Sequence, residues 1–230
     1  MGFLTIIPMK NAELDFSSFY AFPVIEGALG LVAFIFFYLG LPPLVASSLS
    51  LFSLEFLEGF NHLDGLIDSG DAWMVRGGKE KKLEIMRDKY VGTGALAFLS
   101  FTLLITFSTL AYLPPASLAF SSSLASLSYV IEARLGTAPG DGGLGDDFIK
   151  AVRKDDKRFA LSFIGALIPS APLIFFRPVS GLIFILAIII LSLFGKLLDR
   201  TFGFSNGDVL GANYELSRAL VLFLLLLFLH

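Results

Sequence analysis

Residues 179–197 read Val179-Ser180-Gly181-Leu182-Ile183-Phe184-Ile185-Leu186-Ala187-Ile188-Ile189-Ile190-Leu191-Ser192-Leu193-Phe194-Gly195-Lys196-Leu197. No charge falls between Val179 and Gly195, and a helix of about 20 apolar residues crosses the hydrocarbon layer of a bilayer. Backbone polar groups at that depth must pair within their own segment, which makes the run a helix. Comparable stretches lie at 19–40, 43–63, 94–112, 116–133, 159–176 and 214–229, the first and last being the weakest as full crossings. The pattern predicts an all-α, polytopic membrane bundle of about seven transmembrane helices. No repeat or linker divides it, so residues 1–230 read as a single integral membrane domain.

Composition points the same way. Hydrophobic residues make up 55% of the chain and charged residues 16%, with a mean hydropathy of +0.79, whereas soluble domains carry about a quarter charged residues. A net charge of -3 provides no general basic surface for nucleic acid. The absence of cysteine excludes disulfides, zinc-thiolate and iron-sulfur sites, and a thiol nucleophile. The N-terminus shows no basic stretch leading into a long apolar run and cleavage site, so no signal peptide is expected.

The breaks between spans are of two kinds. Leu41-Pro42-Pro43, Leu113-Pro114-Pro115 and Arg177-Pro178 are abrupt helix stops, since proline lacks the amide that would continue a helix. The other connections, at 74–93, 134–158 and 198–213, are long and charged. Of the 17 Lys and Arg residues, only Arg177 falls on the hairpin side. The excess of basic residues on the long-loop side predicts that these loops, and the active site with them, face the cytoplasm of a cell-membrane protein.

Chemistry concentrates after the second apolar stretch. At about 100° per residue, Asp64, Asp68 and Asp71 fall within roughly 60° of one another on a helix and span about 10 Å of its length. Three carboxylates on one stripe repel unless a cation lies among them, and hard oxygen ligands suit magnesium. His62 points off this stripe and is read either as a structural hydrogen bond or as substrate or base chemistry. Glu55 and Glu58 also fall off it, with Glu58 able to serve a second ion if another helix meets it. The lysines from Lys79 to Lys82 read as a solvated topology signal, whereas Arg87 and Asp88, before Gly92-Thr93-Gly94, carry more functional weight. The glycines between Gly136 and Gly145, followed by Asp146 and Asp147, read equally as a phosphate cradle or a flexible linker. Asn206-Gly207-Asp208 reads either as a helix cap or as a further carboxylate brought to the site from another helix.

Four blocks resemble the cobalamin-5'-phosphate synthase family, whose members are also called adenosylcobinamide-GDP ribazoletransferases. The first is Phe3-Leu4-Thr5-Ile6-Ile7-Pro8 with Phe22-Pro23-Val24, Gly27 and Gly30. The second, His62-Leu63-Asp64-Gly65-Leu66-Ile67-Asp68-Ser69-Gly70-Asp71-Ala72, resembles the family's HLDGLxDxxDA stretch. Ile85-Met86-Arg87-Asp88 with Gly92-Thr93-Gly94 follows, and the last is Gly207-Asp208-Val209-Leu210-Gly211-Ala212 with Glu215-Leu216. The blocks keep family order from one end of the chain to the other. Gly70, Phe60 and Asn206 stand where the family pattern has alanine, glycine and threonine, and none of these departures removes a carboxylate.

The resemblance implies joining of α-ribazole, or its 5'-phosphate, to adenosylcobinamide-GDP with release of GMP, magnesium as the cofactor and the lipid bilayer as the setting. It implies Asp64, Asp68 and Asp71 on magnesium, and Asp208 as a further ligand or the base, with Asp88 its rival. Arg87 would hold the diphosphate, with His62, Asn206 and Glu215 also on the substrate side. A homo-oligomer is compatible with this reading, and a nucleic-acid partner is not expected.

Other readings share parts of the pattern. CDP-alcohol phosphatidyltransferases also use an Asp-Gly element, but Asp68 stands where their signature has alanine and no arginine follows it. Intramembrane prenyltransferases carry DDxxD, and Asp146-Asp147 lacks the third residue. A cation transporter would need carboxylates deep in several spans, whereas the sequence pattern puts them at the cytoplasmic ends.

Overall fold

The computed structural model describes residues 16–140 and 142–229. Lys10 and the block from Phe3 to Pro8 lie outside the described residues. All the regular structure among the described residues is helical. The long helices are α1 (Phe22–Ala33), α2 (Pro43–Leu57), α3 (Asn61–Met74), α5 (Thr93–Leu110), α6 (Ala116–Leu135), α8 (Asp156–Phe176), α9 (Val179–Phe202) and α10 (Gly207–Leu229). Two shorter helices, α4 (Lys79–Met86) and α7 (Leu144–Lys154), occupy connections that the sequence suggested were loops.

Among the described residues, five segments are long and apolar enough to cross a membrane: Phe16–Tyr38, Thr93–Leu110, Asp156–Phe176, Val179–Phe202 and Gly207–Leu229. The expected count of about seven is matched only roughly, because two of the apolar stretches do not form helices of that kind. Helix α2 is apolar but only 15 residues long. Helix α6 is 20 residues long, rich in serine, and buried on every side from Ser117 to Ala133. It is the axis of the bundle, packed by α1, α8, α9 and α10. Some of its hydroxyls are paired at depth: Ser121 and Ser123 donate to Leu118 and Phe120 carbonyls, and Ser123 also meets Ser170 of α8 at 3.0 Å, whereas those of Ser117 and Ser122 have no partner. Small residues let the neighbours come close: a Cβ at Gly30 of α1 would lie 2.9 Å from the Ala119 backbone. Outside this core, Phe101, Phe175, Leu182 and Leu193 are exposed, as a surface solvated by lipid requires.

The proline stops fall where the sequence placed them. Pro43 opens α2, Pro115 precedes α6 and Pro178 precedes α9, positions where proline's missing amide costs nothing. Two boundaries move. The connection expected over 198–213 is largely helical, with only residues 203–206 between α9 and α10. That extends the weak last segment to 23 residues. The stretch 43–63 is not one helix, because Gly59 and Phe60 both adopt the left-handed conformation, φ 71° and 58°, and turn the chain between α2 and α3.

Phe60 explains one departure from the family pattern: glycine enters this conformation freely, while a side chain there costs about 1–2 kcal/mol. Its ring is held against Phe52 and Phe56, at centroid distances of 6.2 and 6.3 Å. A β-branched residue would add steric conflict at positive φ. We expect Phe60→Ile to lower stability by about 1–2 kcal/mol relative to Phe60→Gly, read from thermal unfolding midpoints in detergent.

Candidate active site

Helix α3 turns Leu63, Gly65, Leu66, Ser69, Gly70 and Ala72 into the bundle, leaving Asp64 exposed and Asp68 and Asp71 half-buried on the opposite face. The predicted stripe is therefore present. Gly65 determines what faces it: a Cβ there would lie 2.7 Å from the Asp208 carbonyl oxygen, so only glycine admits the start of α10 this closely. Asp208 is thereby brought to the α3 face. Asn206 caps α10 by accepting from the Val209 amide at 3.0 Å and donates to the Asp208 carboxylate at 2.9 Å. Both readings of the 206–208 segment hold together: the helix cap is also what delivers a fourth carboxylate.

The crowding has an electrostatic consequence. Burial, then the charges of Asp208, Asp64 and Asp71, push the Asp68 carboxyl up to about 7. Asp71 is engaged differently, since its carboxylate accepts from the Gly92 and Ala95 amides at 2.6 and 2.9 Å. It therefore caps α5 from a neighbouring helix. Each carboxylate oxygen retains a further lone pair for other ligands.

Arg87 and Asp88 sit on the exposed α4–α5 connection. That connection is fixed at both ends beside the aspartates, by Asn206 against Met86 at 3.8 Å and by Asp71 on Gly92. Asp88 accepts from the Tyr90 amide at 3.3 Å. The lysines of α4 are not simply solvated. Lys82 is buried with its Nζ 5.1 Å from the Phe202 ring centre, and burial lowers its pKa. Lys79 donates to the Pro139 carbonyl at 2.8 Å.

The glycine-rich loop is neither a free linker nor an open phosphate cradle. Gly140 and Gly142, both at positive φ, donate to the buried Asp146 carboxylate at 3.0 and 2.8 Å. Those amides hold the Asp146 carboxyl below its ordinary range. Gly145 then packs on the backbone of Asn206 and Gly207, joining the loop to the α10 start.

His62 and Glu215 face inward, away from the aspartates. Glu215 is fully buried and accepts from Arg218 at 2.5 Å. Arg218, also fully buried, pairs with Glu55 and with Glu58 at 3.3 Å. Tyr214 donates to Glu58 at 2.7 Å, and His62 Nε2 lies 3.7 Å from Glu26. A second polar network links Glu132 to Asn213 and Ser205 at 2.5 and 2.8 Å. Glu26, Glu132 and Arg218 carried no sequence motif to mark them, beyond being charges inside apolar runs. They correct the expectation that acids gather only at the cytoplasmic ends. Arg218 closes off its share of them, because one guanidinium meets three carboxylates.

Among the described residues, two groups bring three potential ligand atoms within 4.8 Å of one another: Glu26–Glu58–His62 and Glu55–Glu58–Glu215. Both adjoin Arg218 or Tyr214, which engage part of each group, while Glu26 Oε1, Glu55 Oε2, Glu215 Oε1 and His62 Nε2 are buried without a hydrogen-bond partner. The aspartate face is more open and lacks an opposing cation in contact with Asp68, whose causes of shift are burial and three like charges. Neither of the two close groups contains Asp64, Asp68, Asp71 or Asp208; carboxylate oxygens are the ligand type that magnesium takes.

This is an all-helical, polytopic membrane protein with an acidic, half-open face where α3 meets the start of α10. The chain matches the family described as Cobalamin-5-phosphate synthase over residues 1–226, and it belongs to that family. It is 30% identical to the adenosylcobinamide-GDP ribazoletransferase of Thermoplasma volcanium, covering 100% of this chain and 89% of that protein. It is 32% identical to the Pyrococcus abyssi protein of the same name, covering 95% and 92%, and 32% identical to that of Clostridium tetani, covering 93% and 89%. No solved structure matches the chain.

Two outcomes test these assignments. Arg218→Leu leaves buried carboxylates without their cation and should cost about 3–5 kcal/mol, seen as loss of folded, monodisperse protein in detergent. Asp146→Asn should cost about 1–2 kcal/mol at neutral pH. Because the folded pKa of Asp146 is depressed, its contribution is full above the unfolded value of about 3.9 and is lost as pH falls through the lower folded value. The gap in thermal midpoint between wild type and Asp146→Asn should accordingly be constant from pH 8 to about 5 and close only below about pH 4.

Proposed function

We propose that this protein joins α-ribazole, or its 5'-phosphate, to adenosylcobinamide-GDP and releases GMP, in the cell membrane with its active site facing the cytoplasm. The observation that carries the reading is the convergence of Asp64, Asp68, Asp71 and Asp208 where Gly65 lets α10 meet α3. Family membership and the names of the relatives support the reaction. The placement of Arg177 alone among the basic residues at the hairpin end supports the orientation.

In this reaction a ribose hydroxyl attacks the β-phosphorus, the new O–P bond forms as the bridging P–O bond breaks, and GMP leaves. Asp64, Asp68 and Asp71 would hold magnesium, which supplies positive charge to the bridging and leaving oxygens. Asp208 takes the hydroxyl proton: it is half-buried at the face, and the Asn206 amide fixes the orientation of its carboxylate. Arg87, on the anchored α4–α5 connection, holds the diphosphate. His62, Asn206 and Glu215 act on substrate through position, His62 and Glu215 by holding α3 and α10 in register from within.

A transport function would use the inward acids as a path, but Arg218 ties Glu55, Glu58 and Glu215 together and Tyr214 holds Glu58. Purified protein in detergent or lipid should release GMP only when both substrates and magnesium are present. Asp68→Asn should lower kcat at least about 100-fold without altering the thermal midpoint downward, and full magnesium-dependent turnover by this variant would remove the metal assignment. Asp88→Asn should retain turnover within about 10-fold, and a greater loss than for Asp208→Asn would transfer the base role to Asp88.

A further inference from the structure

On the inward side of α3, away from the aspartates, another helix does meet Glu58. Helix α1 brings Glu26 to the point where Glu58 ends α2 and His62 stands in the first turn of α3. One ligand atom from each of the three lies within 4.8 Å of the other two. Glu26 and Glu58 are fully buried, and the His62 side chain is 9% exposed. Glu26 Oε1 and His62 Nε2 lie 3.7 Å apart, and neither has a hydrogen-bond partner.

The balance of charge calls for a cation at this point. Glu26, Glu55, Glu58 and Glu215 are all buried, and Arg218 pairs with the last three. Glu26 is left with a hydrogen bond from the Tyr214 hydroxyl to Oε2 at 3.3 Å, and a buried carboxylate without a counter-charge is costly. A proton shared by Glu26 and Glu58 would lower the charge but give His62 Nε2 nothing at hydrogen-bonding distance. One metal ion serves both orphaned atoms. Two ligands about 2.0–2.2 Å from a tetrahedral ion stand about 3.3–3.6 Å apart, close to the separation of Glu26 Oε1 and His62 Nε2. The imidazole is also held in place, its ring centre 4.1 Å from that of Tyr214. The group Glu55–Glu58–Glu215 is less suited, because Arg218 pairs with every member and sets a positive charge among them.

We propose that Glu26, Glu58 and His62 bind a divalent transition-metal ion of the zinc class, which fastens α1 to the start of α3. One imidazole nitrogen with two carboxylates is a borderline donor set, better matched to zinc than to magnesium. A fourth position is left for water. The site is structural and separate from the magnesium proposed for the aspartate face. Its ion holds the first turn of α3, from which Asp64 projects to the opposite side.

The test uses untagged full-length protein in detergent, freed of metal, loaded with zinc chloride and dialysed against excess magnesium, with zinc counted by mass spectrometry. About one zinc per chain should remain on the wild type, and on Asp68→Asn, whose substitution lies on the aspartate face. Glu26→Gln should raise the Kd for zinc at least about tenfold. Zinc should raise the thermal midpoint of the wild type, and that rise should be absent in Glu26→Gln. In His230→Gln, His62 is the sole histidine, and X-ray absorption at the zinc edge should show one imidazole nitrogen with oxygens at about 2.0–2.2 Å. Failure of the wild type to keep zinc, loss of zinc by Asp68→Asn, unchanged affinity in Glu26→Gln, or a shell of oxygen alone would overturn the proposal. The absorption spectrum needs no substitution inside the bundle, so it decides the matter if Glu26→Gln does not fold.

Discussion

The close approach of α10 to α3 at Gly65 is the constraint on which the site depends. A methyl group at that point would collide with the Asp208 main chain, and separating the helices would move Asp208 off the Asp64–Asp68–Asp71 face. The same contact places Gly211 against the His62 backbone, where a Cβ would lie 3.3 Å from the His62 carbonyl. Two glycines one turn or so from each helix start thus set the distance at which the carboxylates confront one another. Burial first, and then the charges held at that distance, raise the Asp68 carboxyl.

Behind this crossing, polar groups in an apolar medium hold the helices in register. Arg218 binds Glu55, Glu58 and Glu215, Tyr214 reaches from α10 to Glu58, and Asn213 joins Glu132 of α6. Apolar side chains alone select helix orientation weakly where lipid is as apolar as the helix surface. Hydrogen-bonded charges specify it, because any other rotation of α10 would leave several of these groups unpaired. The serine-rich α6 serves the same end, trading lipid solubility for close neighbours all round.

Much of the fold was legible in the sequence because a bilayer imposes simple rules. Run length, proline stops and the sign of loop charges follow from hydration energies that need no tertiary contact, and they located the helices and their hairpins. The errors arose where a neighbour decides. The break at Gly59–Phe60 lies inside an apolar stretch, and Phe60 gives no local sign of a left-handed turn. Lys82 looked solvated until α9 supplied a ring to cover it. The glycines of 136–145 looked available until Asp146 took their amides.

By itself the sequence determined an all-helical membrane chain with an acidic stripe at Asp64, Asp68 and Asp71, since helical period and hydropathy are properties of one segment. It could also carry the family resemblance, which is a matter of residue order. Only the tertiary structure decided that Asp208 joins the stripe, that His62 and Glu215 turn inward, and that Phe22, Tyr129 and Phe148 pack together in the core. These depend on how closely helices far apart in the chain approach, and that distance is set by pairs of surfaces, of which one sequence segment shows only one side.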